Sequence, residues 1–346
     1  MPNLEKIKRY LHKAIKRQVF PGCAVGAIVN GEEFVVTAGR HTYDDGSPKV
    51  TAGSLFDCAS VTKAIPVSAL ALWLIDHKQL KLSDRLIRFV PVYNGSFRDE
   101  IRLGHLLTHT LDFDFRLSEY KDLPPEKLLA AILNVKMKSH PGEKFCYANA
   151  TSILLGMLIE RVSGKSLYEL AQEVFFDPLG MKDTTFFPSK AALANCVPTE
   201  IDPWRGRTIQ GEVHDESAWV LRKIMTAGSA GLFSTVPDLM KFVRMLLEGG
   251  KPFFKRSTMN AMHTNQIPHI KDMCTGLGWE LNQEYMGTRR TAQTFGKTGF
   301  TGCAIIADKS KNAGVVILSN YTWPERKPNR DLINEVRAQI ADIVFE

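Results

Sequence analysis

The chain has 346 residues, 44% of them hydrophobic and 23% charged, with a formal net charge of +7 and a pI near 9.0. That balance is enough to bury a sizeable core and excludes a disordered or fibrous polymer. Lysine and arginine are spread along the chain, and their densest run (Lys6, Lys8, Arg9, Lys13, Lys16, Arg17) has no aromatic interleaving; this argues against a nucleic-acid partner and leaves an attraction for anionic substrates.

The basic run falls at helical spacing and reads as the wet face of an N-terminal helix. No signal-peptide pattern is visible, because residues 1–19 are charged throughout, and no stretch free of charge reaches membrane-spanning length. The six cysteines (Cys23, Cys58, Cys146, Cys196, Cys274, Cys303) form no C-x-x-C pair, so neither a zinc site nor a disulfide framework is expected. Together these features lead to the expectation of a cytoplasmic protein with no membrane association.

Next along the chain, Cys23-Ala24-Val25-Gly26-Ala27-Ile28-Val29 and Glu33-Phe34-Val35-Val36-Thr37-Ala38 flank Asn30-Gly31, a strong hairpin signal. Then comes Asp57-Cys58-Ala59-Ser60-Val61-Thr62-Lys63-Ala64-Ile65, an S-x-x-K at the mouth of an apolar run, residues 65–75, that reads as a buried helix. Ser60 and Lys63, three residues apart, share one helical face, and a partly buried lysine can be neutral enough to take the serine proton. A motif this short is also met by a capping serine followed by a solvated lysine. Pro66 lacks a backbone donor, so a local kink is expected there.

His105-Leu106-Leu107-Thr108-His109 has the histidine spacing of a zinc helix but no glutamate in the H-E-x-x-H position, so a structural role is expected and no metal. Cys146-Tyr147-Ala148-Asn149 precedes another apolar helix. A phenol flanked by cations can shuttle a proton, although a half-buried tyrosine and a helix-capping asparagine would fit the same letters. His214-Asp215-Glu216 is expected to line a groove or to be structural, and Ser229, in Ala227-Gly228-Ser229-Ala230-Gly231, to be a loop residue.

Phe295-Gly296-Lys297-Thr298-Gly299-Phe300-Thr301-Gly302 leads into two late strands, Gly302-Cys303-Ala304-Ile305-Ile306-Ala307 and Gly314-Val315-Val316-Ile317-Leu318-Ser319, and a closing helix over residues 329–344. K-T-G at a strand edge offers a cation, a hydroxyl and a backbone that a substrate can approach closely. Strands at both ends of a mostly helical middle predict an α+β fold with one antiparallel sheet. One α/β lobe would comprise residues 1–60 and 275–346, and a helical insertion residues 61–274, with the site in the groove between them.

The order S-x-x-K, Y-x-N, K-T-G resembles the serine β-lactamase and penicillin-binding-protein superfamily, specifically its class C β-lactamase-like branch with D-alanyl-D-alanine carboxypeptidase-like proteins and family VIII carboxylesterases. Ile101-Arg102-Leu103-Gly104-His105-Leu106-Leu107-Thr108-His109-Thr110, Pro178-Leu179-Gly180-Met181-Lys182-Asp183-Thr184 and Ala230-Gly231-Leu232-Phe233-Ser234-Thr235 are similar to the same branch. The resemblance implies Ser60 as nucleophile, Lys63 and Tyr147 sharing the base work, and Asn149 positioning them. It implies Lys297 as a source of positive potential able to meet a substrate carboxylate, Thr298 and Gly299 beside the substrate, and an oxyanion hole from the N–H groups of Ser60 and Phe300. Leu111-Asp112-Phe113-Asp114-Phe115 departs from the family's Ser-Gly at the border of the groove and leaves the substrate class open.

The expected activity is that of a serine hydrolase forming an acyl-enzyme on small esters or amides, with carboxylesterase-like action first and D-alanyl-D-alanine carboxypeptidase or β-lactamase-type action second. No cofactor is expected. A non-catalytic binding or assembly-forming member of the fold is the reading from another class.

Overall fold

The computed structural model describes residues 2–346. Its centre is a six-stranded antiparallel sheet made from β1 (Gly22–Val29), β2 (Glu32–Gly39), β3 (Glu280–Leu281), β4 (Thr294–Thr298), β5 (Ala304–Asp308) and β6 (Ala313–Ser319), in the order β2-β1-β6-β5-β4-β3. The two chain ends meet where β1 pairs with β6, from Cys23 opposite Ser319 to Val29 opposite Ala313. The hairpin between β1 and β2 turns through Asn30 and Gly31, both in the left-handed region (φ 52° and 85°), as a type I′ turn requires.

Because a strand's side chains alternate, the central strands serve two cores. Val25, Ala27, Ile306, Val315 and Ile317 face α1 (Leu4–Lys16) and the C-terminal helix Asp331–Val344, where Ile7, Leu11, Val336 and Ile340 complete one cluster. Ala24, Ile28, Ile305, Val316 and Leu318 face the other way. They join the larger cluster with Met240 and Val243 of the helix Val236–Leu247 and with the helical region beyond it. These strands are therefore continuous apolar runs rather than alternating ones. Two small strand pairs lie outside this sheet, Phe56–Asp57 with Phe233–Ser234 and Glu200–Asp202 with Arg207–Ile209.

The nucleophile segment departs from the expected regular helix. Ala59–Lys63 is a 3₁₀ turn, Ala64–Ser68 is a wider turn broken at Ile65 (φ −120°, ψ 112°), and α2 proper runs only over Ala69–Asp76. The cause is Pro66, which donates no hydrogen bond and crowds the residue before it out of the helical region. In a 3₁₀ turn residues i and i+3 eclipse, so Ser60 and Lys63 still share a face. The stretch Ala59–Asp76 is apolar enough to span a membrane by length and composition, but 78% of it is buried inside the protein, as a core helix would be.

The close fit of the helix Val236–Leu247 on the sheet rests on Gly26, where a Cβ would lie 2.2 Å from Met240 Sδ and 2.6 Å from Val236 Cγ1. Gly26→Val should destabilise the protein by about 1–3 kcal/mol through overpacking, as read from urea unfolding, while leaving kcat of the folded fraction unchanged.

Candidate active site

The segment before the nucleophile is anchored by one buried carboxylate. Asp57 Oδ1 accepts the Ala59 N–H at 2.7 Å and Oδ2 accepts the His214 N–H at 2.6 Å. Ala59 sits at φ +45°, a left-handed conformation that costs an alanine about 1–2 kcal/mol. The Asp57 bond holds that strained residue and with it the direction of Ser60. Burial pushes the Asp57 carboxyl up to about 6, against the pull of the two backbone donors. Thr62 adds a second brace, donating to the Ala59 carbonyl at 2.6 Å and accepting the Leu232 N–H at 3.1 Å.

Lys63 is buried, with Nζ 2.9 Å from Ser60 Oγ and 2.6 Å from the Ser229 carbonyl oxygen to which it donates. Burial holds its amine below the ordinary lysine range, and Lys297 adds to that, against the opposing influence of Tyr147 and Asp215. Lys297, on β4, has the opposite balance. Burial would lower it, but Glu280 on β3, whose Oε1 lies 2.5 Å from Nζ, and Tyr147 raise it above the usual value. Glu280 Oε2 in turn accepts from the Tyr285 hydroxyl at 2.9 Å. Two lysines near one site are thus driven towards different protonation states.

Tyr147 lies between them. Lys297 Nζ is 4.4 Å and Lys63 Nζ 5.1 Å from its ring centre. As a residue it is 41% exposed, so a substrate can reach it. Desolvation raises the pKa of its hydroxyl, yet Lys297 and Lys63 together bring it below the ordinary phenol value. His109 packs on the phenol at 4.9 Å between ring centres, and its carbonyl accepts the Cys146 N–H at 2.8 Å. Burial, then Lys297 and Lys63, hold the His109 imidazole well below its ordinary value, so it is neutral.

The turn after β4 closes the site. A Cβ on Gly299 would lie 2.3 Å from the Cys58 carbonyl oxygen, so only glycine lets this turn approach the Ser60 segment. Thr301 Oγ1 donates to the Asp57 carbonyl at 2.7 Å, and buried Arg337 donates from Nη2 to the Gly299 and Cys303 carbonyls at 2.8 Å each. The N–H groups of Ser60 and Phe300 have no protein acceptor among the described residues. Ser60, Tyr147, Glu280, Thr298, Phe300 and Arg330 line a cavity of about 310 Å³.

A model of the Beta-lactamase family matches residues 7–338. The chain belongs to the Beta-lactamase family. It is 28% identical to a protein of Escherichia coli (strain K12) named as a D-alanyl-D-alanine carboxypeptidase, over 81% of this chain and 73% of that one. Among solved structures it is similar to EstCE1, a hydrolase with promiscuous acyltransferase activity (TM-score 0.78, 20% identity, 99% of this chain and 98% of that one). It is also similar to the octameric penicillin-binding protein homologue from Pyrococcus abyssi (TM-score 0.74, 22% identity, 92% and 73%). The protein is a serine hydrolase of the β-lactamase fold.

Of the residues singled out in the sequence, Ser60, Lys63, Tyr147, Lys297, Thr298, Gly299 and Phe300 converge on this β-lactamase-family site. Asn149 does not reach Lys63. It is the first residue of the helix Asn149–Ser163, and its Nδ2 donates at 2.8 Å to Asp215 Oδ2, while the Lys63 amine is already engaged by Ser60 and the Ser229 carbonyl. Asp215 itself caps the helix Glu216–Leu221 through the Ala218 N–H at 2.8 Å, so Asn149 ties down the rim of the site. That rim continues into a second cleft of about 610 Å³, lined by Tyr147, Asn149, Asp215 and the loop of Asp112, Phe113 and Phe115. The two histidines of the 105–109 stretch do not converge: His105 Nδ1 accepts the Arg102 N–H at 3.2 Å, and His109 lies against Tyr147.

Sequence reasoning missed Glu280, Asp57 and the Ser229 carbonyl. The contribution of Ser229, a loop residue, is a main-chain atom that no residue letter signals. Glu280 is the sharpest test of the electrostatics. In Glu280→Gln the ammonium of Lys297 loses its counter-charge, its pKa falls, and the alkaline limb of the kcat/KM profile should move down by about one pH unit or more. An unchanged alkaline limb would mean that Lys297 does not need its charge.

Proposed function

We propose that this hydrolase is carboxylesterase-like, acting on small esters through an acyl-enzyme on Ser60. The observation that carries the reading is the 2.9 Å separation between Ser60 Oγ and a lysine whose surroundings favour the neutral amine. Neutral Lys63 keeps its orientation by donating to the Ser229 carbonyl and turns its lone pair to the Ser60 hydroxyl. As Oγ bonds to the substrate carbonyl carbon, the proton passes to Lys63. The carbonyl oxygen, now negative, is met by the N–H groups of Ser60 and Phe300. The ester C–O bond then breaks, and the proton held by Lys63 passes through Tyr147 to the departing alkoxide, leaving the amine neutral again. Water attacks the acyl carbon, its proton passing by way of Tyr147 to Lys63; the bond from that carbon to Oγ breaks, the acid leaves, and Lys63 returns the proton to Oγ, regenerating Ser60.

An ester is favoured over a carboxylate-bearing peptide because the Lys297 ammonium is already paired with Glu280 at 2.5 Å. Aromatic and apolar side chains (Phe145, Met273, Phe300) also share the lining of the Ser60 cavity. Peptides ending in D-alanine, or β-lactams, form the second reading. It is supported by the E. coli relative's name and by the open edge of β4: β3 pairs only with Phe295 and Gly296, leaving Lys297 and Thr298 free to pair with an extended substrate.

Intact-protein mass spectrometry after incubation with a p-nitrophenyl ester, penicillin and a D-Ala-D-Ala peptide separates these readings. The ester should add its acyl mass at Ser60. Acylation by penicillin or the peptide alone would replace the ester reading with the second. Ser60→Ala should lose on the order of 10⁴-fold or more in kcat. Lys63→Arg, which cannot become neutral, should fall nearly as far. In the wild type, activity should decline as pH falls, as Lys63 takes up a proton and loses its lone pair; the midpoint should lie below the ordinary lysine range.

A further inference from the structure

Beyond the Ser60 cavity, on the other side of the short edge strand β3, lies a cleft of about 1120 Å³. Arg256, Arg290, Lys309 and His263 line it, with the amides of Asn260 and Gln293, and no aspartate or glutamate does. Among the described residues none of the three cations lies within 4.0 Å of a carboxylate. The nearest acid in sequence, Asp308, is buried and occupied: Oδ2 accepts from Thr291 at 2.7 Å and Thr294 at 2.5 Å, and Oδ1 from Ser310 at 2.6 Å and the Lys311 N–H at 3.0 Å.

Arg290 is held in place rather than waving in solvent. Its Nε donates to Asn282 Oδ1 at 2.9 Å and its Nη1 to the Gly287 carbonyl at 2.5 Å, which leaves Nη2 without a partner. The His263 Nε2 atom is buried and has no hydrogen-bond partner either. A preset guanidinium, a second guanidinium, an ammonium and two amides form a donor set for an oxyanion of more than one charge. A single carboxylate would satisfy only part of it.

The cleft also adjoins the reactive centre across a shared wall. Cys274 lines both cavities, and the two residues of β3 face opposite ways, Leu281 lining this cleft and Glu280 the Ser60 cavity. From Thr298, beside Ser60, back to Thr294, at the cleft, is four strand steps, about 13 Å. We propose that this cleft binds a multiply charged phosphate-type group, carried either on the far end of an extended substrate or by a free phosphorylated ligand. The first source rests on the hydrolase reading above; the second does not.

Calorimetric titration of the full chain with inorganic tripolyphosphate at low ionic strength tests the site itself. Binding should weaken about tenfold or more in Arg256→Ser/Lys309→Ser and remain unchanged in Lys8→Ser/Arg9→Ser, a control that removes two exposed charges from α1. Absence of binding to the wild type, or equal losses in both double variants, would overturn the proposal, the latter by showing a general effect of net charge. Two esters identical except for a terminal phosphate on the acyl chain then distinguish the sources. If the phosphate belongs to the substrate, KM for the phosphorylated ester should rise about tenfold in the cleft variant while the neutral ester is unaffected. If both KM values are unchanged although tripolyphosphate binding is lost, the ligand is a free one. Loss of ester turnover in the wild type would discard the hydrolase reading and leave the binding result standing.

Discussion

The ion pair between Lys297 and Glu280 makes the rest of the site intelligible. Two buried lysines flank one phenol, and without a carboxylate both would be driven towards the neutral form by desolvation. Glu280 breaks that symmetry. It keeps Lys297 charged, and the charge in turn lowers Lys63 and Tyr147. The result is an amine 2.9 Å from the serine hydroxyl and a phenol beside it, both held below their ordinary pKa ranges. Burying an ammonium group is costly, and here the cost for Lys297 is offset by a single short pair reinforced by Tyr285.

That arrangement needs three segments distant in sequence to be held within fractions of an ångström, and the fold does so with buried polar groups rather than apolar packing alone. Asp57 fixes the strained Ala59 on one side, and Arg337 fixes the turn of Gly299 on the other, with Thr301 linking the two. The Asp57 carboxyl has its folded value raised to about 6 from an ordinary 3.8. Its stability contribution is therefore full below about pH 4 and is lost as pH rises through about 6. At neutral pH the protein carries a destabilising buried carboxylate, kept because only a group with two acceptor oxygens can hold both Ala59 and His214.

Much of this was legible in the amino-acid sequence. The apolar runs flanking Asn30-Gly31 and those after Lys297-Thr298-Gly299 announced the sheet, since both patterns are local and its two-sided burial leaves little choice of composition. Ser60, Lys63, Tyr147 and Lys297 were legible because the nucleophile turn and the K-T-G strand carry fixed spacings. The regular helix expected at Ser60 failed at Pro66, whose conflict with helical geometry was foreseen as a kink but extends through Ile65. Asn149 was misplaced because proximity to Tyr147 along the chain says nothing about which way an amide faces at the first turn of a helix. Glu280 escaped notice because a two-residue edge strand leaves no periodic signal.

Substrate preference is least legible for the same reason. A K-T-G lysine can offer a substrate carboxylate only the positive charge that its neighbours leave it, and here that depends on Glu280, contributed by a separate strand with no motif of its own. Here Lys297 is 3% exposed at its side chain and already paired with Glu280. A substrate carboxylate brought beside it would meet a neutralised pair and would have to repel or displace Glu280. The same lysine letter in the same motif can therefore serve as an anion receptor or as an electrostatic adjunct to the tyrosine, and the acid across the strand determines which.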